Sequence, residues 1–332
     1  MKTKIVYVVV SDDADFYLEQ TLVSVYSARL YNPNAEILLL VDSETNKTIL
    51  GKREAILQYI SLKITVDVPK EYSKMQKSRF LKTSLRKYIE GDYLFIDSDT
   101  IITEDLSEID NIPFEIAAVP DKHVIIKNHP RCKDIRRNAK MIEWNFSLDE
   151  YYFNSGVFYV KDTSSTHSFY EDWFNKWKKY SSIGVDIDQP SLAKTNEKFN
   201  HLIGELNGIW NCQINENGLP FLLKAKIIHY FASTMGEKRN NPYSFYDKKI
   251  YVDIKNYGFI NRKLHAMILN AKSAFNFPCV IIGRSDVTFF FTNTYIIYSK
   301  AKFFFSIIEL LSGIVLKIGK FAKNRIHYLI TI

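Results

Sequence analysis

Through the first hundred residues, apolar runs alternate with segments whose apolar positions recur at three- and four-residue steps. Residues 4–10 and 36–41 are β-rich apolar runs, and each closes on acid, Asp12-Asp13 after the first and Asp42 after the second. Between them Phe16, Leu18, Leu22, Val25, Tyr26 and Leu30 keep a helical period, which Asn32-Pro33-Asn34 ends. Residues 48–59 read as a second helix, 64–68 as a third strand and 78–89 as a third helix leading into the strand 93–96. Strands alternating with helices predict an α/β fold with a mostly parallel, Rossmann-like sheet and short crossovers. Ligands of such sheets bind beyond the carboxyl ends of the strands, where these acidic tips fall.

Further on the pattern is mixed. Residues 115–119 read as a strand, and 122–145 as a polar, basic connection with the character of a mobile lid. Residues 151–160 carry strand-like runs on both sides of Asn154-Ser155-Gly156, and a glycine there marks a bulge or a close backbone approach. In 166–180 Phe169, Trp173 and Trp177 have helical spacing and read as core packing. Asp186 to Ser191 reads as a helix entry, with Pro190 near the first turn and Asp188 suited to capping. A short strand at 226–230 delivers His229 near its end.

Composition adds a second region. The 46% hydrophobic content of the 332 residues is ample for a core and excludes a disordered chain. The net charge of +7 is uneven: residues 299–328 hold six basic residues (Lys300, Lys302, Lys317, Lys320, Lys323 and Arg325) against Glu309 alone. Asn240-Asn241-Pro242 reads as a domain boundary, separating residues 1–240 from an extension at 241–332. In that extension Ile307, Leu311, Ile314, Ile318 and Phe321 share one helical face, while lysines lie largely opposite. Two readings are open, a basic amphipathic helix lying in a membrane surface or a core helix with its lysines in water, and the apolar content favours the membrane. No stretch reaches the ~20 apolar residues that span a bilayer. Cys132, Cys212 and Cys279 are scattered and odd in number, which predicts reduced thiols in the cytoplasm. No nucleic-acid recognition fold accompanies the basic residues, so nucleic acid is not an expected partner.

The chemistry concentrates at Asp97-Ser98-Asp99, which closes the strand 93–96. Alternate residues of an extended segment share a face, so Asp97 and Asp99 point one way and Ser98 the other. Paired carboxylates suit a hard divalent cation that in turn holds phosphate; the other reading is a polar turn. Arg79 and Lys82 lie three apart on one helical face, suited either to phosphate and carboxylate partners or to solvent.

These residues, taken in order, resemble the retaining glycosyltransferases of family eight, which include lipopolysaccharide galactosyltransferases and glycogenin. The resemblance spans about residues 3–235. It rests on Ser11-Asp12-Asp13, Ser78-Arg79-Phe80-Leu81-Lys82, Tyr93 to Asp99, Phe153-Asn154-Ser155-Gly156-Val157, Asp188-Gln189 and Ile227-Ile228-His229-Tyr230. It implies a GT-A fold, a UDP-sugar donor and a divalent metal, usually Mn²⁺ with Mg²⁺ as the other choice. Carried over residue by residue, Asp97, Asp99 and His229 hold the metal. Asp12 or Asp13 meets the nucleoside, and Arg79, Lys82, Ser98 and Asp121 join the donor site. Asn154, Asp188 and Gln189 line the sugar pocket as the catalytic group. The family's glycine and diphosphate-gripping lysine after the histidine are replaced here by Ala232 and Met235, which passes the grip to Lys238 on a longer loop, or to Arg239 or another base.

The implied activity is metal-dependent transfer of a hexosyl unit, galactose or glucose, to an acceptor hydroxyl with retention. Retention leaves two routes open, front-side attack or a covalent intermediate on Asp188 or Gln189. A glycan or glycolipid acceptor, an anionic inner-leaflet membrane partner and a role in bacterial surface-glycan assembly, lipopolysaccharide or capsule, follow as expectations. The rival readings are a sugar-phosphate nucleotidyltransferase and a non-catalytic membrane-bound scaffold. The first lacks a glycine-rich signature in residues 11–16, and the second has no need of an intact Asp97, Asp99 and His229.

Overall fold

The computed structural model describes residues 1–232, 242–275, 292–301, 303–315 and 318. It divides into two units, Met1–Ala274 and Phe275–Ile332. The sequence break at Asn240-Asn241 lies outside the described residues, and the stretch from Pro242 to Ala274 packs within the larger unit.

A seven-stranded sheet forms the centre of the larger unit. Its strands are β1 (Lys4–Val9), β2 (Ile37–Asp42), β3 (Leu62–Val66), β4 (Tyr93–Ile96), β6 (Ile116–Ile125), β7 (Tyr151–Val160) and β8 (Ile203–Glu205), in the order β3-β2-β1-β4-β7-β6-β8. The first four pair in parallel, and β6 with β8 likewise; β7 alone runs antiparallel to both its neighbours. Every residue of β2 is buried, as is all of β1 after Lys4, because helices cover both faces of a parallel sheet. A second sheet joins β5 (Thr100–Ile102), β9 (Cys212–Gln213) and β10 (Ile227–His229), with β10 between the other two.

The helices follow the sequence pattern with two shifts. The first, α1 (Tyr17–Tyr31), is buried along most of its length. The helix expected at 48–59 resolves into α2 (Ser43–Thr48) and a 3₁₀ stretch, Gly51–Gln58, entered through Gly51 at φ 57°. The left-handed φ at Gly51 stops a continuous α-helix. The third, α3 (Lys74–Thr83), begins one turn before the expected 78, at a capping box in which Ser73 and Gln76 bond reciprocally.

The basic connection after residue 122 is not a bare lid. It extends β6, then forms α4 (Cys132–Met141), whose Ile135 and Ala139 pack with Ile126, Ile142, Trp144 and Tyr152 in a small core of their own. The next helix, α5 (Ser164–Ser181), buries Phe169, Trp173 and Trp177 completely, as core residues. Its two indoles also reach the site: Trp173 donates to the Asp188 carbonyl at 3.1 Å and Trp177 to the Asp186 carbonyl at 2.9 Å, pinning the entry to α6 (Asp188–Lys198). Cys212 is buried and free, its thiol pushed up to about 12 by burial, and Cys132 is free and partly buried.

Two helices, α7 (Lys248–Tyr257) and α8 (Arg262–Leu269), complete the larger unit. In the smaller unit α9 (Asn293–Lys300) is followed by helical residues 303–315. No helix among the described residues is long and apolar enough to cross a membrane.

Candidate active site

The register of β7 explains why distant residues meet. Because β7 runs antiparallel to both β4 and β6, Val157 pairs with Ile96 and Phe153 with Pro120. Asn154-Ser155-Gly156 therefore lies beside the end of β4 and the end of the regular part of β6, which deliver Asp97 and Asp121. The second sheet adds the last element: β5 turns back from Asp99, and β10 pairs against it with His229 opposite Thr100.

Ligand atoms of Asp97, Asp99 and His229 lie within 4.8 Å of one another. His229 Nε2 is 3.1 Å from Asp99 Oδ1, and His229 Nδ1 is 3.1 Å from Asn211 Oδ1. The Asn211 side-chain amide donates to Asn154 Oδ1 at 2.9 Å, so its own oxygen is turned to accept from His229 Nδ1–H. This leaves Nε2 as a lone pair facing a carboxylate oxygen, two acceptors in contact. A divalent cation resolves that conflict, and two carboxylates with an imidazole suit Mn²⁺ or Mg²⁺. The donor set thus fits a metal. Burial pushes the Asp97 carboxyl up, and Lys82 only partly offsets this. Asp99 is partly buried, which would raise its carboxyl, yet it lies below the usual range, with the Ala232 N–H donating to it at 2.8 Å.

Gly156 makes the close approach possible. A Cβ there would meet His229 Cε1 at 2.5 Å, Asp97 Oδ2 at 2.6 Å and Asn154 Oδ1 at 2.9 Å, distances no side chain tolerates. Its N–H donates to Asn154 Oδ1 at 2.9 Å, and its carbonyl accepts from Asp97 N at 2.7 Å.

Beside the metal set, Asp188 gathers two cations. Arg79 Nε forms an ion pair with Oδ1 at 2.9 Å, and Lys82 Nζ lies 3.4 Å from Oδ2 and 3.4 Å from Asp97 Oδ1. Ser155 Oγ donates to Asp188 Oδ2 at 2.7 Å. Burial alone would raise the Asp188 carboxyl, but Lys82 and Arg79 together hold it well below the usual range. The N-cap position of α6 is Ile187, and the Asp188 carboxylate serves the ion pairs. Asn154 continues the network, its amide donating to Asp121 Oδ1 at 2.7 Å. His129 accepts from the Arg131 N–H at Nδ1, so its Nε2–H donates to Asp121 Oδ2 at 3.0 Å. Asp121 is buried, and these hydrogen bonds keep its carboxyl below the usual range.

These groups open on a cavity of ≈ 550 Å³, large enough for a nucleotide-sized ligand. Of the sequence candidates, Arg79, Lys82, Asp97, Ser98, Asp99, Asp121, Asn154, Asp188, Gln189 and His229 all line it. Ser98 accepts from Thr21 Oγ1 at 2.8 Å, and Gln189 donates to the Phe153 carbonyl at 3.2 Å. Asp12 and Asp13 sit at the end of β1 outside the lining: Lys74 pairs with Asp12, and Arg53 with Asp13 at 3.3 Å. Lys238, Met235 and Arg239 lie outside the described residues. Asn211, Ser155, His129, Lys122 and Phe231 were not site candidates from sequence. Ser155 carried a signal, standing inside the Asn-Ser-Gly kink, but an asparagine 18 residues before His229 carries none.

A Rossmann-like sheet carrying this acidic strand tip, with the antiparallel β7 beside it, is the GT-A architecture of glycosyltransferases. The family model of glycosyl transferase family 8 matches residues 8–235, and the chain belongs to that family and is a glycosyltransferase. Among solved structures it is similar to the galactosyltransferase LgtC in complex with donor and acceptor sugar analogs. The identity is 16% and the TM-score 0.51, over 80% of this chain and 99% of that chain. An active-site mutant of LgtC gives 16% and 0.51 over 81% and 100%. The apo form of mouse xyloside xylosyltransferase 1 gives 14% and 0.46 over 68% and 97%. The likeness to LgtC, at 16% identity, speaks to the fold. The chain matches no curated protein sequence.

Proposed function

We propose that the protein transfers a hexosyl unit, galactose or glucose, from a UDP-sugar to an acceptor hydroxyl with retention at the anomeric carbon. The observation that carries this reading is the convergence of Asp97, Asp99 and His229 on a cavity that Asp188, Gln189, Arg79 and Lys82 also line. A divalent cation held by those three ligands, Mn²⁺ or Mg²⁺, supplies Lewis-acid relief of charge on the departing diphosphate.

The chain's own groups divide the remaining work. The Asn211–His229 hydrogen bond holds the imidazole in the tautomer that ligates. Asp188, with both oxygens taken by Arg79, Lys82 and Ser155, is a weak nucleophile and a strong anchor for its cations. That supports front-side attack, in which the leaving phosphate accepts the acceptor proton, over a covalent intermediate on Asp188. Gln189 and Asn154 line the sugar pocket, and Asp121 orients Asn154. At the end of the first strand, Asp12, which pairs with the lining Lys74, or Asp13 beside it meets the nucleoside.

The acceptor reading rests on the smaller unit. Phe303, Phe304, Ile307, Leu310, Leu311 and Ile314 are exposed along residues 303–315, and the sequence on both sides is basic, with Lys300 and Lys302 before it and Lys317, Lys320, Lys323 and Arg325 after it. This supports peripheral attachment to an anionic inner leaflet and a glycolipid or glycan acceptor in bacterial surface-glycan assembly. The lysines at 302, 317 and 320 lie outside the described residues.

A screen of UDP-sugars for Mn²⁺-dependent hydrolysis tests the reading. Release of UDP from one or two hexose donors, abolished by chelation, is expected; no hydrolysis of any donor together with no UDP binding would sink it. Attachment is checked separately by removing residues 288–332. The truncated protein is expected in the soluble fraction with donor hydrolysis retained, and continued pelleting with membranes would rule out the anchor.

A further inference from the structure

A diphosphate brings more negative charge than a divalent cation at Asp97, Asp99 and His229 neutralises, so its site needs a further cation from the chain. Among the described residues, five basic side chains line the cavity. Three are committed to carboxylates of the site region: Lys74 to Asp12 and Asp15, Arg79 to Asp188, and Lys82 to Asp97 and Asp188. Arg131 pairs with Asp134 at 3.5 Å, and its side chain is 59% exposed. The fifth, Lys122, is different. Unlike Lys74 and Arg131 it is largely buried, its side chain 13% exposed, and unlike Arg79 and Lys82 it pairs with a carboxylate, Glu216 at 3.0 Å, that does not line the cavity.

The backbone around Lys122 is built to hold it. Lys122 and His123 both sit in the left-handed region, at φ 60° and 57°. Strain of this kind persists only where the surroundings impose it. Here the fully buried Gln213 accepts from the Lys122 N–H at 2.7 Å and donates to the Pro120 carbonyl at 2.9 Å. The Gln213 N–H donates to His123 Nε2 at 3.2 Å, and Asn217 donates to the Lys122 carbonyl at 2.9 Å.

The side chain reaches the metal set through one ring. Lys122 Nζ stands 4.1 Å from the centroid of Phe231, and Phe231 stacks on His229 at 4.1 Å with 27° between the planes. Phe231 is itself left-handed at φ 51°, in the turn whose Tyr230 and Ala232 N–H groups close on Asp99 at 3.1 and 2.8 Å. One face of the phenyl ring thus carries the imidazole contact and the ring also meets the ammonium. An ammonium with three donors, one side turned to Glu216, keeps donors for a second anion.

We infer that Lys122, held by Glu216 and Phe231, is a cation that binds the diphosphate of the donor. The inference rests on the donor reading above and assigns one of its contacts. UDP and UMP, each with Mn²⁺, are titrated calorimetrically into the full chain, its Lys122→Ala variant and its Lys122→Arg variant. Lys122→Ala is expected to weaken UDP binding about tenfold or more, the worth of a charge-assisted contact, and UMP binding clearly less. Lys122→Arg should recover much of the lost UDP affinity. UDP affinity unchanged in Lys122→Ala overturns the assignment, as does an equal loss for UDP and UMP, which would report general damage. Wild-type protein that binds neither nucleotide overturns the donor reading itself, a result distinct from a wild type and variant that bind UDP alike.

Discussion

Asn211 Oδ1 and His229 Nδ1 lie 3.1 Å apart, brought together by the parallel pairing of β9 with β10. The contact sets which imidazole nitrogen is free to ligate, although Asn211 touches neither carboxylate of the metal set. Asn211→Ala is therefore expected to lower Mn²⁺ affinity about 10- to 100-fold while leaving the fold intact. Titration of Mn²⁺ by electron paramagnetic resonance measures this. Wild-type affinity in the variant would mean that the hydrogen bond has no part in ligation.

Asp99 lies 3.1 Å from His229 Nε2 and accepts a backbone N–H from the turn beyond it. Asp99→Ala removes a carboxylate from the metal set and a partner from that turn. Donor hydrolysis should fall at least about 100-fold, about 2.7 kcal/mol of transition-state stabilisation. Activity within a few-fold of wild type, at saturating metal, would exclude the triad as the metal site.

Gly156 offers a steric test of the same site. Gly156→Ala places a methyl group against His229, Asp97 and Asn154 at once, and none of the three is the far end of a long flexible chain. A loss of about 1–3 kcal/mol in stability, together with loss of metal binding, is the expected result. Chemical denaturation and metal titration of one preparation give both numbers, and an alanine variant that binds Mn²⁺ normally would contradict the described approach.

Asp188 links stability to pH in a definite direction. Its folded carboxyl is held below the ordinary value by Lys82 and Arg79 against the opposing effect of burial. The stabilisation is fully present above the unfolded pKa of about 3.9 and is lost as pH falls through the lower folded value. Asp188→Asn leaves the nearly buried Lys82 without a charged partner at α6, and should cost about 3 kcal/mol near pH 7. Urea unfolding of both proteins at pH 7, 5 and 3.5 checks the sign: the gap should hold from pH 7 to 5 and narrow only below about 4. A gap that narrows already between pH 7 and 5 would show that Asp188 is not the group responsible.

Much of the sheet was legible because burial on both faces leaves an unmistakable mark. Residues 4–10, 36–41 and 93–96 read as continuous apolar runs and became β1, β2 and β4. The helix at 48–59 failed at Gly51, where a left-handed φ gives a 3₁₀ stretch that apolar spacing does not distinguish from α. The basic connection after residue 122 read as lid-like because its composition is polar. Its apolar minority, Ile126, Ile135, Ala139, Ile142 and Trp144, packs into a separate core that no count of charges reveals. Phe153 to Val157 was singled out by its glycine, but periodicity carries no strand direction. The antiparallel course of β7 that sets Gly156 against Asp97 was invisible for that reason.

What the amino-acid sequence determined by itself is which segments leave water and which acidic residues end a buried strand, since both follow from local order of apolar and polar side chains. Asp97 and Asp99 were placed correctly on one strand tip by that reasoning alone. His229, Asp188, Arg79 and Lys82 were named from the sequence through the family resemblance, but what they touch was decided only by the tertiary structure: His229 against Asp99 with Asn211 behind it, Asp188 between Arg79 and Lys82, and Lys122 across Phe231. Those pairings depend on strand order and register, which are fixed by long-range packing between segments and leave no mark in the local pattern of any one of them.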